Sequence, residues 1–109
     1  GKAALDRQAG DAGIRAADNR ADDARHQAAL MLSRQWWAWA GAAAETRTLD
    51  DAAGIMAQAV AATRQRLAVR DASQLELDQA LAAEAAARAA ALQAKARAAA
   101  ARAVLAASF

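Results

Sequence analysis

His26 is the only histidine and the chain has no cysteine, so a protein-held transition metal would need carboxylates to complete its ligand set. Asp22 and Asp23 lie close by in sequence, but with one imidazole they do not form a ligand set of recognised spacing. No serine or threonine stands in a nucleophile-elbow or phosphate-loop context. The glycines at 10, 13, 41 and 54 form neither G-x-G-x-x-G nor G-x-x-x-x-G-K. The residue types thus lead to the expectation of no catalytic group, no cofactor and no metal site. The remaining conspicuous side chains are Trp36, Trp37 and Trp39. On a helix these three point in different directions, with Trp36 and Trp39 on neighbouring faces. We read them as packing residues at a helix or oligomer contact in preference to a ligand-stacking site.

The elements that would carry these residues are helical. The chain has 109 residues and no proline, so nothing in it forces a helix to break. Its 57% hydrophobic content overstates its capacity for a core. About 40 of the residues are alanine, the strongest helix former and one that buries little area. With three tryptophans and one phenylalanine as the only aromatics, little is available to fill a compact centre. Alanine instead lets helix backbones approach closely, which suits a rod.

The net charge of +2, made of 14 basic and 12 acidic residues interspersed along most of the chain, gives no basis for a nucleic-acid partner. No uncharged run, Gln35 to Ala44 and Ala52 to Thr63 included, approaches the roughly 18 residues of a membrane-spanning helix. The opening Gly1-Lys2-Ala3 has neither an initiator methionine nor a signal-peptide core, so the sequence reads as a mature or excised piece.

From about residue 3 to 69 the pattern stays helical, with charges every three or four positions. Leu49, Ala53, Met56, Val60, Thr63 and Leu67 alternate spacings of four and three, the a/d seam of a coiled coil. Thr48, followed by Asp50 and Asp51, offers an alternative N-cap that would divide this helix and give a three-helix bundle. The sharpest boundary is Ser73-Gln74-Leu75-Glu76, with the S-x-x-E spacing of a capping box. Ser73 would accept from the Glu76 amide while Glu76 reaches back to the amide of Ser73. A second helix then runs from 74 to about 107, with Glu84 and Arg88 in the favourable i,i+4 order.

The expected fold is therefore all-α: one elongated antiparallel helical hairpin or coiled coil covering residues 1–109. Its long helix spans about 3–69, its tip turn about 70–73, and its shorter helix about 74–107. At about 1.5 Å per residue the first helix would be roughly 100 Å long and the second roughly 50 Å. The N-terminal half of the first would then require a partner from another chain or from further sequence. Exposed Leu30, Met31 and the tryptophans make self-association the expected behaviour.

The segment Arg66-Leu67-Ala68-Val69-Arg70-Asp71-Ala72-Ser73-Gln74-Leu75-Glu76-Leu77-Asp78-Gln79-Ala80 resembles the helix–turn–helix signature of TolC-like outer-membrane efflux proteins. In that signature an arginine, a short apolar stretch, a turn glycine, a small or hydroxyl residue, a leucine/acid pair and an alanine mark the periplasmic tip of a helical hairpin. The closing Ala101-Arg102-Ala103-Val104-Leu105 is similar to the end of the family's second helix. Gly1-Lys2-Ala3-Ala4-Leu5 resembles the strand-to-helix entry of its heavy-metal branch. One departure stands out: the family's turn glycine falls at Arg70.

The resemblance implies a periplasmic portion of a bacterial outer-membrane protein that is trimeric when complete. That protein would export solutes or metal ions through a helical barrel docked to a periplasmic adaptor. It places Val69, Arg70, Asp71, Ala72 and Ser73 at the adaptor-contact tip, with Ser73 and Glu76 as helix caps and Arg70 and Asp71 as the contacts. The hairpins of periplasmic adaptor proteins carry a similar stretch, matched by Ser73, Glu76, Asp78, Gln79, Ala80 and Leu81. They supply the alternative family.

Overall fold

The computed structural model describes residues 1–108. It contains two helices, α1 (Lys2–Ala68) and α2 (Gln74–Ala107), so the chain is all-α and its second part is a helical hairpin. By the density of contacts the chain falls into two units, the first Gly1–Arg34 and the second beginning at Gln35.

The first unit is helical from Lys2 onward and nearly bare. Residues 1–31 are all exposed, including Leu5, Ile14, Leu30 and Met31. Helix formation here follows from alanine content and the absence of proline, with the exposed pair Arg25–Asp22 at 3.0 Å adding a few tenths of a kcal/mol.

The second unit is an antiparallel coiled coil. On α1 its seam is Gln35, Trp39, Ala42, Thr46, Leu49, Ala53, Met56, Val60, Thr63 and Leu67, all half-buried or buried. The seam recognised from Leu49 onward thus extends back to Gln35 in unbroken four-three alternation. On α2 the facing seam is Leu77, Ala80, Glu84, Ala87, Ala91, Ala94, Ala98, Ala101 and Leu105, with the same period. Two contacts fix the register: Arg97 Nη2 donates to Glu45 Oε1 at 2.8 Å, and Ser108 Oγ donates to Gln35 Oε1 at 2.6 Å. Carried along both helices, that register sets Leu67 beside Leu77 and Ala53 beside Ala91. Ala53 and Ala91 do line one groove, with Asp50, Arg88, Leu92 and Lys95.

The core is correspondingly thin. Among the described residues only Val60, Leu77, Ala91 and Ala94 are buried, Ala94 completely. Small residues on the α2 seam trade apolar area for close helix contact, so the hairpin rests on many weak contacts distributed along its length. Glu84, half-buried in the seam, is satisfied by Arg88 at 2.7 Å.

No break occurs at Thr46–Thr48, and the three-helix alternative is overturned. Thr48 does not cap a new helix: its hydroxyl donates back to Ala44 O at 3.2 Å, and Thr46 donates to Ala42 O at 2.9 Å. Thr63 does the same to Ala59 O at 2.7 Å. Bonding to the carbonyl four residues back satisfies a threonine inside a helix, and no glycine or proline stands there to halt the preceding turns. The acids Asp50 and Asp51 remain on the exposed face.

Candidate functional site

The tip joining α1 to α2 is built from two different terminations. α1 closes with a Schellman arrangement: the Arg70 amide donates to Leu67 O at 3.0 Å and the Asp71 amide to Arg66 O at 2.7 Å, satisfying two carbonyls that the last turn would leave open. This closure requires a left-handed residue after the helix. The chain supplies Arg70, with φ of 62°, the one non-glycine residue of positive φ among those described. Glycine is the usual occupant, because a side chain in this conformation costs roughly 1–2 kcal/mol.

α2 opens with Ser73 as its N-cap. Extended at φ −93° and ψ 161°, Ser73 accepts from the Glu76 amide at 3.1 Å. The second half of the expected capping box takes a different form. The Glu76 carboxylate turns across the hairpin to Arg66, 3.5 Å from Nη1, and does not reach back to the amide of Ser73. A guanidinium beside the carboxylate offers a charge-assisted partner in place of a neutral amide.

Arg66 is the organiser that sequence reasoning missed. Its Nη2 donates to Asp71 O at 2.6 Å and its Nε lies 3.5 Å from Asp71 Oδ2. One side chain therefore holds the end of α1, the turn and the first turn of α2 together. The only signal in the sequence was an arginine followed five and ten positions later by acids, across a segment whose reversal had to be known first. Because both partners are about half exposed or more, each ion pair contributes little, and the short bond to the Asp71 carbonyl is the stronger restraint.

This arrangement divides the expected tip residues. Asp71, expected as a contact, is engaged by Arg66, and Ala72 is half-buried. Ser73 and Glu76 serve the helix start. Val69, 74% exposed, projects from the tip together with Leu75, which had not been singled out. Arg70 is exposed, and its side chain makes no hydrogen bond or ion pair among the described residues. The tip thus exposes one cation without a hydrogen bond or ion pair among the described residues, together with two apolar side chains.

Elsewhere, Trp36 and Trp37 meet edge to face, with ring centroids 4.8 Å apart at 85°, while Trp39 turns into the hairpin seam, half-buried. Among the described residues no group of three or more His, Cys, Asp or Glu side chains converges, and no helix is long and apolar enough to cross a membrane. No family model, curated protein or solved structure matched this chain.

Proposed function

We propose that this chain is a tip-bearing hairpin in the periplasmic helical conduit of an outer-membrane efflux channel. Its tip would dock to a periplasmic adaptor, and its role would be structural, with exported solutes or metal ions passing along the assembled wall. The observation that supports this reading is Arg70. The TolC-like signature resembled by residues 66–80 has a glycine at this position, and the backbone here adopts the conformation that glycine serves.

An arginine in that conformation carries a conformational cost with no local contact to offset it. Strain of this kind persists where the side chain is used. An exposed guanidinium on a tip that also exposes Val69 and Leu75 suits a partner surface that offers a carboxylate or backbone carbonyls beside apolar side chains. The adaptor hairpin, the alternative family, shares the Ser73 cap, but its two helices are of similar length, whereas α1 has 67 residues and α2 has 34.

Two variants of the full-length protein separate docking from folding. Arg70→Gly is expected to raise the stability of the hairpin by about 1 kcal/mol while weakening adaptor binding. Arg70→Glu is expected to leave helicity unchanged and to weaken adaptor binding further, with loss of efflux complementation. Adaptor capture at wild-type level by both variants would remove Arg70 from the interface and this function with it.

A further inference from the structure

The near-balance of 14 basic and 12 acidic residues conceals a one-sided distribution across the hairpin. In an antiparallel helix pair the residues beside the seam face each other in two sets of rows, one along each flank. On the first flank the charges close on one another: Arg97 meets Glu45 at 2.8 Å and Arg66 meets Glu76 at 3.5 Å. On the second flank the same register sets Arg102 opposite Ala43, Lys95 opposite Asp50 and Arg88 opposite Ala57, and Arg64 continues the row on α1. Asp50, Arg88 and Lys95 do line one groove between the helices, with Ala53, Ala91 and Leu92. In these facing rows four cations stand with a single acid.

Arg64, Lys95 and Arg102 are exposed and make no hydrogen bond or ion pair among the described residues. Only Arg88 is held, by Glu84 at 2.7 Å. On α2 the cations recur at every seventh residue, which sets them about 10 Å apart in one row. Rows beside a coiled-coil seam ordinarily pair opposite charges across it, and cations that face alanine gain nothing from their own hairpin. Leu92 stands between Arg88 and Lys95 on the same stripe of α2 and is 68% exposed, so the cations bracket an apolar side chain.

From this we infer that the cationic flank is a docking groove for an acidic amphipathic helix of another protein, one that carries a carboxylate at every seventh residue. Such a helix repeats its charge at the spacing of Arg88, Lys95 and Arg102, about 10 Å. Ala53, Ala57 and Ala91 leave room for it to approach the seam, and Leu92 gives its apolar side chains a contact that water would otherwise keep. A flexible polyanion without apolar groups would satisfy the cations and leave Leu92 exposed. The first flank, with its charges already closed, offers such a partner nothing comparable. The groove lies along the body of the hairpin and does not involve the tip, so the inference is independent of the conduit reading.

The test uses the full chain and a labelled synthetic helical peptide of about four heptads, with one glutamate and one leucine in each. Fluorescence anisotropy is expected to show binding that weakens about tenfold from low to high salt. A peptide of the same composition with glutamate at every fifth residue, which scatters the charge around the helix, is expected to bind about tenfold more weakly. Lys95→Gln and Arg97→Gln change the net charge equally, on opposite flanks. Lys95→Gln is expected to weaken binding about fivefold and Arg97→Gln to leave it unchanged, with helicity by circular dichroism intact in both. No binding of the peptide, equal binding of the scattered one, or equal loss in the two variants would overturn the groove. Heparin, a polyanion without apolar side chains, is expected to compete poorly, and competition as strong as that of unlabelled peptide would overturn the helix as its occupant.

Discussion

Ser73 shows how much one side chain can decide at the tip. Its hydroxyl satisfies the Glu76 amide, one of four donors left open at the start of α2, and alanine there returns that donor to water. Ser73→Ala is expected to lower hairpin stability by about 1 kcal/mol, measured by thermal or urea unfolding followed by circular dichroism. Ser73→Asp should restore most of the loss, since a carboxylate accepts the same bond and favours the positive end of the helix. No change with alanine would show that Arg66, through Asp71 and Glu76, fixes the start of α2 unaided. The cap was legible because S-x-x-E is a local pattern. The Arg66 restraint was not, because a contact spanning a reversal becomes visible only once both helix ends are placed.

At the level of the element, close packing along α2 is set by residues that look interchangeable in sequence. Ala94 has no exposed surface, whereas Ala89 and Ala96 are open, and nothing in their neighbourhoods distinguishes them except position on the four-three alternation. Ala94→Leu should overpack the seam and destabilise the hairpin by about 1–3 kcal/mol. Ala96→Leu should be tolerated in the isolated hairpin, and equal effects in denaturant melts would refute the assigned seam. The same logic marks what could be read in advance. Helix boundaries, the tip and the α1 seam from Leu49 to Leu67 followed from spacing and caps. The seam of α2 did not, because a run rich in alanine offers several stripes of equal hydrophobicity, and only the contacts of Glu45 and Gln35 select one. Thr46 and Thr48 misled for a related reason: their preference for caps competes with back-bonding inside a helix, and local sequence alone does not decide between the two.

For the whole hairpin, the reversal at the tip also governs time. Every seam contact joins residues placed symmetrically about Val69–Ser73, so contacts near the tip close short loops and those near Gln35 and Ser108 close long ones. Loop-closure entropy favours formation from the tip outward. Arg70 must enter its left-handed conformation before the first seam layer, Leu67 beside Leu77, can form. The conformational cost therefore falls on the folding barrier, and relief of it belongs to the folding rate. Arg70→Gly should accelerate refolding about fivefold per kcal/mol gained and leave the unfolding rate nearly unchanged, as read by stopped-flow circular dichroism. A gain appearing instead as slower unfolding would place the reversal after the rate-limiting step. The left-handed arginine at the reversal thus makes the chain slower to find its fold, and acts as a brake on the chain's own assembly.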